Sequence, residues 1–358
     1  MNLSTKAKSG FYADIQQTEL GQMCGTKKLF RDRYEVGRIL GRGGFGVTFL
    51  AQDAVLPGKP LCVIKQLCPR VVNPQTWQRS CKRFEQEAKI LSKLGSHSQI
   101  PMLLDYFEAS GQFYLVQEYV RGATIAKEIK RSGPKDEGAV KQFLQELLPI
   151  LRYVHSQRVI HRDIKPHNLI RCADDGRLVL IDFGAVKDQF RLEEGNTKTA
   201  TTNFVGTMGF APPEQFSLRP VYASDIYAIG ATCLYMLTGK APLEFDHDPN
   251  TGEICWQDQV DVSDNFAQVL SKMLKISVQE RYKSADEVIW GLGLERYLNT
   301  LTHCLTTQPL GTRHQEESTT YSSPVSRTAQ AIRDWQEKLN ARRTSNPKQW
   351  SLSSHSIG

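Results

Sequence analysis

His161-Arg162-Asp163-Ile164-Lys165-Pro166-His167-Asn168 and, further along, Asp182-Phe183-Gly184 are the stretches on which the fold turns. The first follows Ala139–Ser156, where Val140, Phe143, Leu144, Leu147, Leu151 and Val154 repeat at helical spacing on one face. The second follows Leu178–Ile181, a short apolar run of strand character. Between and beyond these core elements the sequence places two carboxylates, an ammonium and an amide in one loop system. That is the equipment of a reaction that aligns a nucleophile and neutralises phosphate charge with metal.

Upstream, Tyr34–Leu40 alternates like a strand, Gly41-Arg42-Gly43-Gly44-Phe45-Gly46 interrupts it, and Val47–Ala51 resumes. Glycines let a backbone approach phosphate oxygens and aim its N–H groups at them. By itself the cluster suits any hairpin, but a strand follows it, whereas a dinucleotide-binding glycine turn opens a helix. Val63-Ile64-Lys65 closes the strand-like run Leu61–Leu67 with a cation. An ammonium there needs a counter-charge when buried. Glu87 can supply it from a predicted helix over Arg79–Leu94, where Phe84, Ala88, Leu91 and Leu94 share a face. Strands are expected near Leu103–Glu108 and Phe113–Tyr119. Beyond Gly122 the pattern turns helical, with Asp225–Thr238 apolar on nearly every side and further helices at Phe266–Leu274 and Ala285–Leu292.

The totals bound the answer. The 358 residues are 40% hydrophobic, enough for a sizeable core. No apolar run approaches a bilayer crossing, and the lysines of the first ten residues precede no apolar stretch, so a cytoplasmic protein without a transmembrane segment is expected. The cysteines at 24, 62, 68, 81, 172, 233, 255 and 304 form no CxxC pair and read as reduced thiols. Of the net charge of +7, residues 1–33 supply three (six Lys/Arg against three Asp/Glu) and residues 299–358 another three (seven against four). The near-neutral middle argues against nucleic-acid binding.

Together the segments resemble the eukaryotic-type protein kinase superfamily, in order and spacing, over residues 34–298. The phrases LGRGGFGVTFLA, CVIKQL, FYLVQEYVRG, VIHRDIKPHNLI, LVLIDFGAVK and GTMGFAPPEQ look most like cyanobacterial serine/threonine kinases. The resemblance implies an α+β, two-lobed kinase fold. A β-rich small lobe (34–120) with one main helix would meet a larger, mostly helical lobe (121–298). It implies an enzyme that transfers the γ-phosphate of ATP to protein Ser or Thr hydroxyls, with magnesium, for which manganese can substitute, and with autophosphorylation in the activation loop.

By the same resemblance, Gly41, Gly43 and Gly46 would cover the triphosphate, with Leu40, Arg42 and Thr48 completing that wall of the nucleotide site. Lys65, oriented by Glu87, would hold the α- and β-phosphates. Gln117 would be the gatekeeper, the backbone of Glu118 and Val120 would meet the adenine, and Val63 and Ile170 would sandwich it. Asp163 would take or orient the hydroxyl proton, Lys165 steady the γ-phosphate, and Asn168 and Asp182 ligate the metal. Arg162 would receive an activation-loop phosphate, with Thr197, Thr199, Thr201 and Thr202 as candidates. Glu214 would pair with Arg281, and Asp225 would anchor the catalytic loop. Lys165 and Thr207 match the serine/threonine branch.

Three departures stand out. Thr48 replaces a usual valine, Pro212-Pro213-Glu214 replaces APE, and His167 stands where many relatives carry a carboxylate, which argues against an arginine-directed substrate preference. Cys24-Gly25-Thr26-Lys27-Lys28-Leu29 resembles the last half of a zinc knuckle, but position 21 is glycine and no other ligand stands nearby, so a vestige or a coincidence, without metal, is expected. In the Ser/Thr-rich basic tail 299–358, Ala329, Ile332, Trp335 and Leu339 mark a candidate amphipathic helix, 326–343, which would dock on the large lobe or on a partner protein, or else be a marginal helix in a disordered tail. Two competing readings keep the fold: a scaffold without transfer, and a small-molecule phosphotransferase. The first normally lacks one of Lys65, Glu87, Asp163, Asn168 or Asp182, all present here. The second is disfavoured by the GTMGF and PPE segments.

Overall fold

The computed structural model describes residues 18–42, 46–68, 74–95, 97–184, 187–188 and 207–293. The tail with its candidate helix 326–343 and the activation-loop threonines 197, 199, 201 and 202 lie outside these residues.

A six-stranded antiparallel sheet builds the small lobe. Its order is β1-β2-β3-β4-β6-β5, from β1 (Leu29–Phe30), β2 (Tyr34–Arg42), β3 (Gly46–Asp53), β4 (Leu61–Leu67), β5 (Leu103–Ala109) and β6 (Gln112–Glu118). Period-two alternation sorts its side chains. Val47, Phe49, Ala51, Cys62, Ile64, Tyr114 and Val116 form one apolar cluster on the outer face. Thr48, Val63, Lys65 and Gln117 fall on the opposite face, since Thr48 pairs with Lys65 and Val63 with Gln117.

The sheet's outer face is covered by residues that precede Tyr34. A short helix, α1 (Glu19–Met23), is capped by Thr18, whose hydroxyl accepts from the Gly21 N–H at 3.0 Å. It drives Leu20 to 0% exposure, and β1 does the same for Phe30 at 1%. Arg33 donates Nε and Nη2 to Asp53 at 2.9 and 2.8 Å, and the Arg31 guanidinium lies 4.2 Å from the Phe107 ring centre. The fold therefore reaches back beyond Tyr34. The Cys24 thiol sits in this turn and donates to the Gly37 carbonyl at 3.4 Å.

The main small-lobe helix, α2 (Pro74–Leu94), starts five residues earlier than the apolar spacing suggested. Proline is favoured in a helix's first turn because its missing N–H would be unsatisfied there anyway. After β6 come β7 (Gly122–Thr124) and α3 (Ile125–Ser132), an element too short for periodicity to reveal, capped by Thr124 and ended by Gly133 at φ +79°. The long α4 (Glu137–Ser156), β8 (Val159–Ile160), β9 (Leu169–Cys172), β10 (Leu178–Leu180) and β11 (Lys187–Asp188) follow. The strands form two small sheets, β10-β9-β7 and β11-β8, that carry the catalytic stretches. The large lobe is completed by α5 (Pro213–Phe216), α6 (Tyr222–Thr238), α7 (Asp264–Met273) and α8 (Ala285–Gly291).

One apolar cluster joins the lobes: Leu67, Phe84, Leu91 and Leu94 belong with Leu147, Ile164, Phe183 and Ile226. The seven described cysteines are all free. Among the described residues no helix is long and apolar enough to cross a membrane.

If residues 18–33 are structural, Leu20→Ala will lower the unfolding free energy by about 2–5 kcal/mol in urea titration. Leu56→Ala, at a site 46% exposed, should stay within about 0.5 kcal/mol of the parent. A silent Leu20→Ala would mean that this segment is not part of the folded unit.

Candidate functional site

The site lies where the cleft face of the small-lobe sheet meets the loops after β8 and β10. Lys65, from the middle of β4, donates Nζ to Glu87 Oε1 of α2 at 2.5 Å and to Asp182 Oδ1 at 3.1 Å. Burial alone would lower the Lys65 pKa, but the Asp182 and Glu87 carboxylates outweigh it and hold the ammonium above its ordinary value. Lys65 in turn keeps Asp182 below the usual carboxylate range, against the effect of burial. Burial pushes Glu87 upward despite its lysine partner. A Cβ on Gly184 would stand 3.0 Å from Glu87 Oε2, so a side chain there would press on the glutamate.

Asp163 is held by its neighbours. Its Oδ2 accepts from Lys165 Nζ at 2.7 Å and from Asn168 Nδ2 at 3.0 Å, and its Oδ1 accepts from the Thr207 hydroxyl at 2.9 Å. Lys165 also donates to Thr207 Oγ1 at 2.7 Å, which closes a triangle between the catalytic loop and the GTMGF segment. Thr207 was read from the sequence only as a branch marker, although its place in GTMGF was the available signal for this contact. Asn168 is turned inward by a second bond, to the Asp163 carbonyl at 2.8 Å.

Beneath this layer Asp225 of α6, at 0% exposure, fastens the loop. Its Oδ2 accepts from the His161 N–H at 2.8 Å and meets His155 Nε2 at 2.9 Å, while its Oδ1 accepts from the Arg162 N–H at 2.8 Å. Burial would raise the Asp225 pKa, but the hydrogen bond with His155, foremost, and the bond from the Arg162 N–H hold it low. Burial depresses the His161 pKa against the pull of the nearby carboxylates, and the ring packs edge-on against Phe183 at 4.8 Å. Arg162 and Asp182 take left-handed φ values of +69° and +68°. Such non-glycine backbone costs about 1–3 kcal/mol and persists only where surroundings impose it.

The nucleotide-binding candidates fall in two groups. Gly46 is required by packing, since a Cβ would come within 2.1 Å of the Gln66 carbonyl oxygen. Gly41 has nothing within 4 Å of a Cβ position, so its backbone borders open space. Leu40 and Arg42 flank it on β2, and Gly43 is outside the described residues. Gln117 is buried at the inner end of β6. Val120 packs with Cys172 and Val179, with Ile170 and Ile181 against them, as a small apolar floor. The Glu118 N–H is donated to the Met102 carbonyl at 2.9 Å.

The expected Glu214–Arg281 pair is present, with Nη1 to Oε1 at 2.6 Å and the arginine side chain fully buried. Arg281 also donates to the carbonyls of Ala223, Lys275 and Ile276. His167, by contrast, is exposed.

Residues 34–290 match the family described as the protein kinase domain. Serine/threonine-protein kinase B of Synechocystis sp. is 53% identical over 295 residues, which is 81% of this chain and 51% of that protein. Serine/threonine-protein kinase PknA of Nostoc sp. is 45% identical over 271 residues, 75% of this chain and 48% of that one. Serine/threonine-protein kinase D of Synechocystis sp. is 44% identical over 265 residues, with shares of 73% and 52%. The chain thus spans about half the length of these relatives.

Removing Arg281 would strand the Glu214 carboxylate, so Arg281→Ala should cost about 3–5 kcal/mol in chemical denaturation. Lys89→Ala, which breaks the exposed pair with Glu85, should cost no more than about 0.5 kcal/mol. Equal losses in the two variants would refute the assigned weight of the buried pair.

Proposed function

Because the chain belongs to the protein kinase family, we propose that it transfers the γ-phosphate of ATP to serine or threonine hydroxyls of other proteins. One observation carries this reading: the Asp163–Lys165–Asn168–Thr207 cluster and the Lys65–Glu87–Asp182 charge network share one cleft.

The donor set suits a nucleotide with magnesium. Open space at Gly41 lets the backbone meet phosphate oxygens without a side chain in the way. Asp182, kept ionised by Lys65, and the Asn168 amide supply hard oxygen donors, and magnesium characteristically takes one or two such ligands and completes its shell with water and phosphate. When bound, the ATP–metal pair supplies the transferable phosphoryl group and neutralises the charge on its leaving side. The protein's own work is positioning. Lys65 is oriented by Glu87 to hold the phosphates, and backbone groups of Glu118 and Val120 would meet the adenine, with Val63 and Ile170 as its apolar walls. Asp163 orients the acceptor hydroxyl and receives its proton. Lys165, shared between Asp163 and Thr207, places a positive charge beside the oxygen where negative charge gathers.

Arg162 supports a reading of regulation. Its Nε is buried without a hydrogen-bond partner among the described residues. Burial, and then the nearby Arg83 cation, depress its pKa. A phosphate on a threonine among 197, 199, 201 and 202 would relieve both the repulsion and the missing bond.

Incubation with labelled ATP, magnesium and casein tests the activity. Label should appear on Ser and Thr and fall about 10³-fold or more in Asp163→Ala. ATP binding without any transfer by the parent would instead favour the scaffold reading. For the regulation, Arg162→Ala should hold the phosphorylated chain at the activity of the dephosphorylated parent. A variant still activated by phosphorylation would remove that role.

A further inference from the structure

Gln215 follows Glu214 in the four-residue helix α5 and is 1% exposed. Its Nε2 donates to the carbonyl of Arg162 at 2.6 Å. Only the NH₂ end of the amide can face a carbonyl, so the orientation of the group is set by its partner.

The peptide that Gln215 grips links Arg162 to Asp163, and a peptide unit turns as one rigid plane. Its oxygen is held by Gln215, and its N–H end by a 3.3 Å contact from Asp163 N to His161 Nδ1. The second contact is the longer, so the plane is held chiefly by Gln215. Arg162, just before it, has φ +69°, a conformation that non-glycine residues leave when unconstrained. Asp225 secures the N–H of Arg162, on the other side of its Cα. Without the amide, rotation about ψ of Arg162 and φ of Asp163 would be opposed by the bonds Asp163 itself makes with Lys165, Asn168 and Thr207, and the carboxylate would lose the constraint on the peptide that precedes it. Glu214, the preceding residue, is locked to Arg281, which makes α5 a firm base for the grip.

We propose that Gln215 is a positioning residue for phosphoryl transfer, fixing the Arg162–Asp163 peptide so that the Asp163 carboxylate points at the acceptor hydroxyl. The proposal rests on the role given to Asp163 above.

The test uses the full chain with Gln215→Met, which keeps length and loses the donor, and Gln215→Glu, which keeps shape and loses the donor only while ionised. Peptide phosphorylation, KM for ATP and thermal stability are measured from pH 6 to pH 8, beside Asp163→Ala. In Gln215→Met, kcat should fall about 10- to 100-fold at every pH, with KM for ATP within about twofold of the parent. In Gln215→Glu the loss should be similar at pH 8 and shrink about tenfold by pH 6, as the introduced carboxyl takes up a proton and can again donate to Arg162. Parent-like kcat in either variant at pH 8 overturns the proposal. So does a loss in Gln215→Glu that is flat with pH, or one that tracks a fall in melting temperature, since either marks mere packing. If the parent transfers nothing, or Asp163→Ala transfers as well as the parent, the functional reading fails and this proposal goes with it. Transfer that depends on Asp163 but not on Gln215 removes this proposal alone.

Discussion

Asp225 is a carboxylate at zero exposure in the middle of α6, a helix buried on nearly every side. A charge in such a place costs several kcal/mol unless its lone pairs are met. They are met by the backbone N–H groups of His161 and Arg162 and by the His155 ring. The electrostatic need of one buried group thus dictates the path of the chain that carries Asp163. The reacting carboxylate inherits its position from the large lobe's centre, through atoms that take no part in the chemistry.

The small lobe reaches the same place by other means. Its cleft-facing lysine is captured by two carboxylates, one on its own helix α2 and one on the loop after β10 of the large lobe. Apolar contact works alongside, since Phe183, next to Asp182, sits in the core that joins Leu91 of α2 to Leu147 of α4. Charge and packing agree on one placement of α2, so Glu87 is available to Lys65 because Phe183 and its neighbours hold the helix in. Gly184 completes the agreement by leaving room for the glutamate.

Much of this was legible in advance. The strand Leu61–Leu67 emerged with the boundaries expected from its β-branched run, and the long helix behind the catalytic loop within two residues, because apolar residues repeat there without interruption. The pairings of Lys65 with Glu87 and Glu214 with Arg281 were expected, and both are formed. The elements at residues 19–30 and 122–132 were missed because each is too short for periodicity to show, their helices starting at threonine caps that no apolar repeat announces. Thr207 and Gln215 were under-read for a different reason. A hydroxyl or amide in a loop has no spacing rule, and its partner lies far away in the chain.

The sequence by itself determined the order of strands and helices and the identity of the ionisable groups, since these follow from local periodicity and from which residue types can bear charge, while the two-lobed fold class followed from the resemblance of its motifs, in order and spacing, to protein kinases. Only the tertiary structure decided that residues 18–33 cover the small-lobe sheet, that Thr207 bridges Asp163 and Lys165, and that Gln215 grips the peptide before the reacting carboxylate. Those are contacts between segments far apart in the chain. Their geometry is set by how buried polar groups find partners once the core has closed, which no local pattern records.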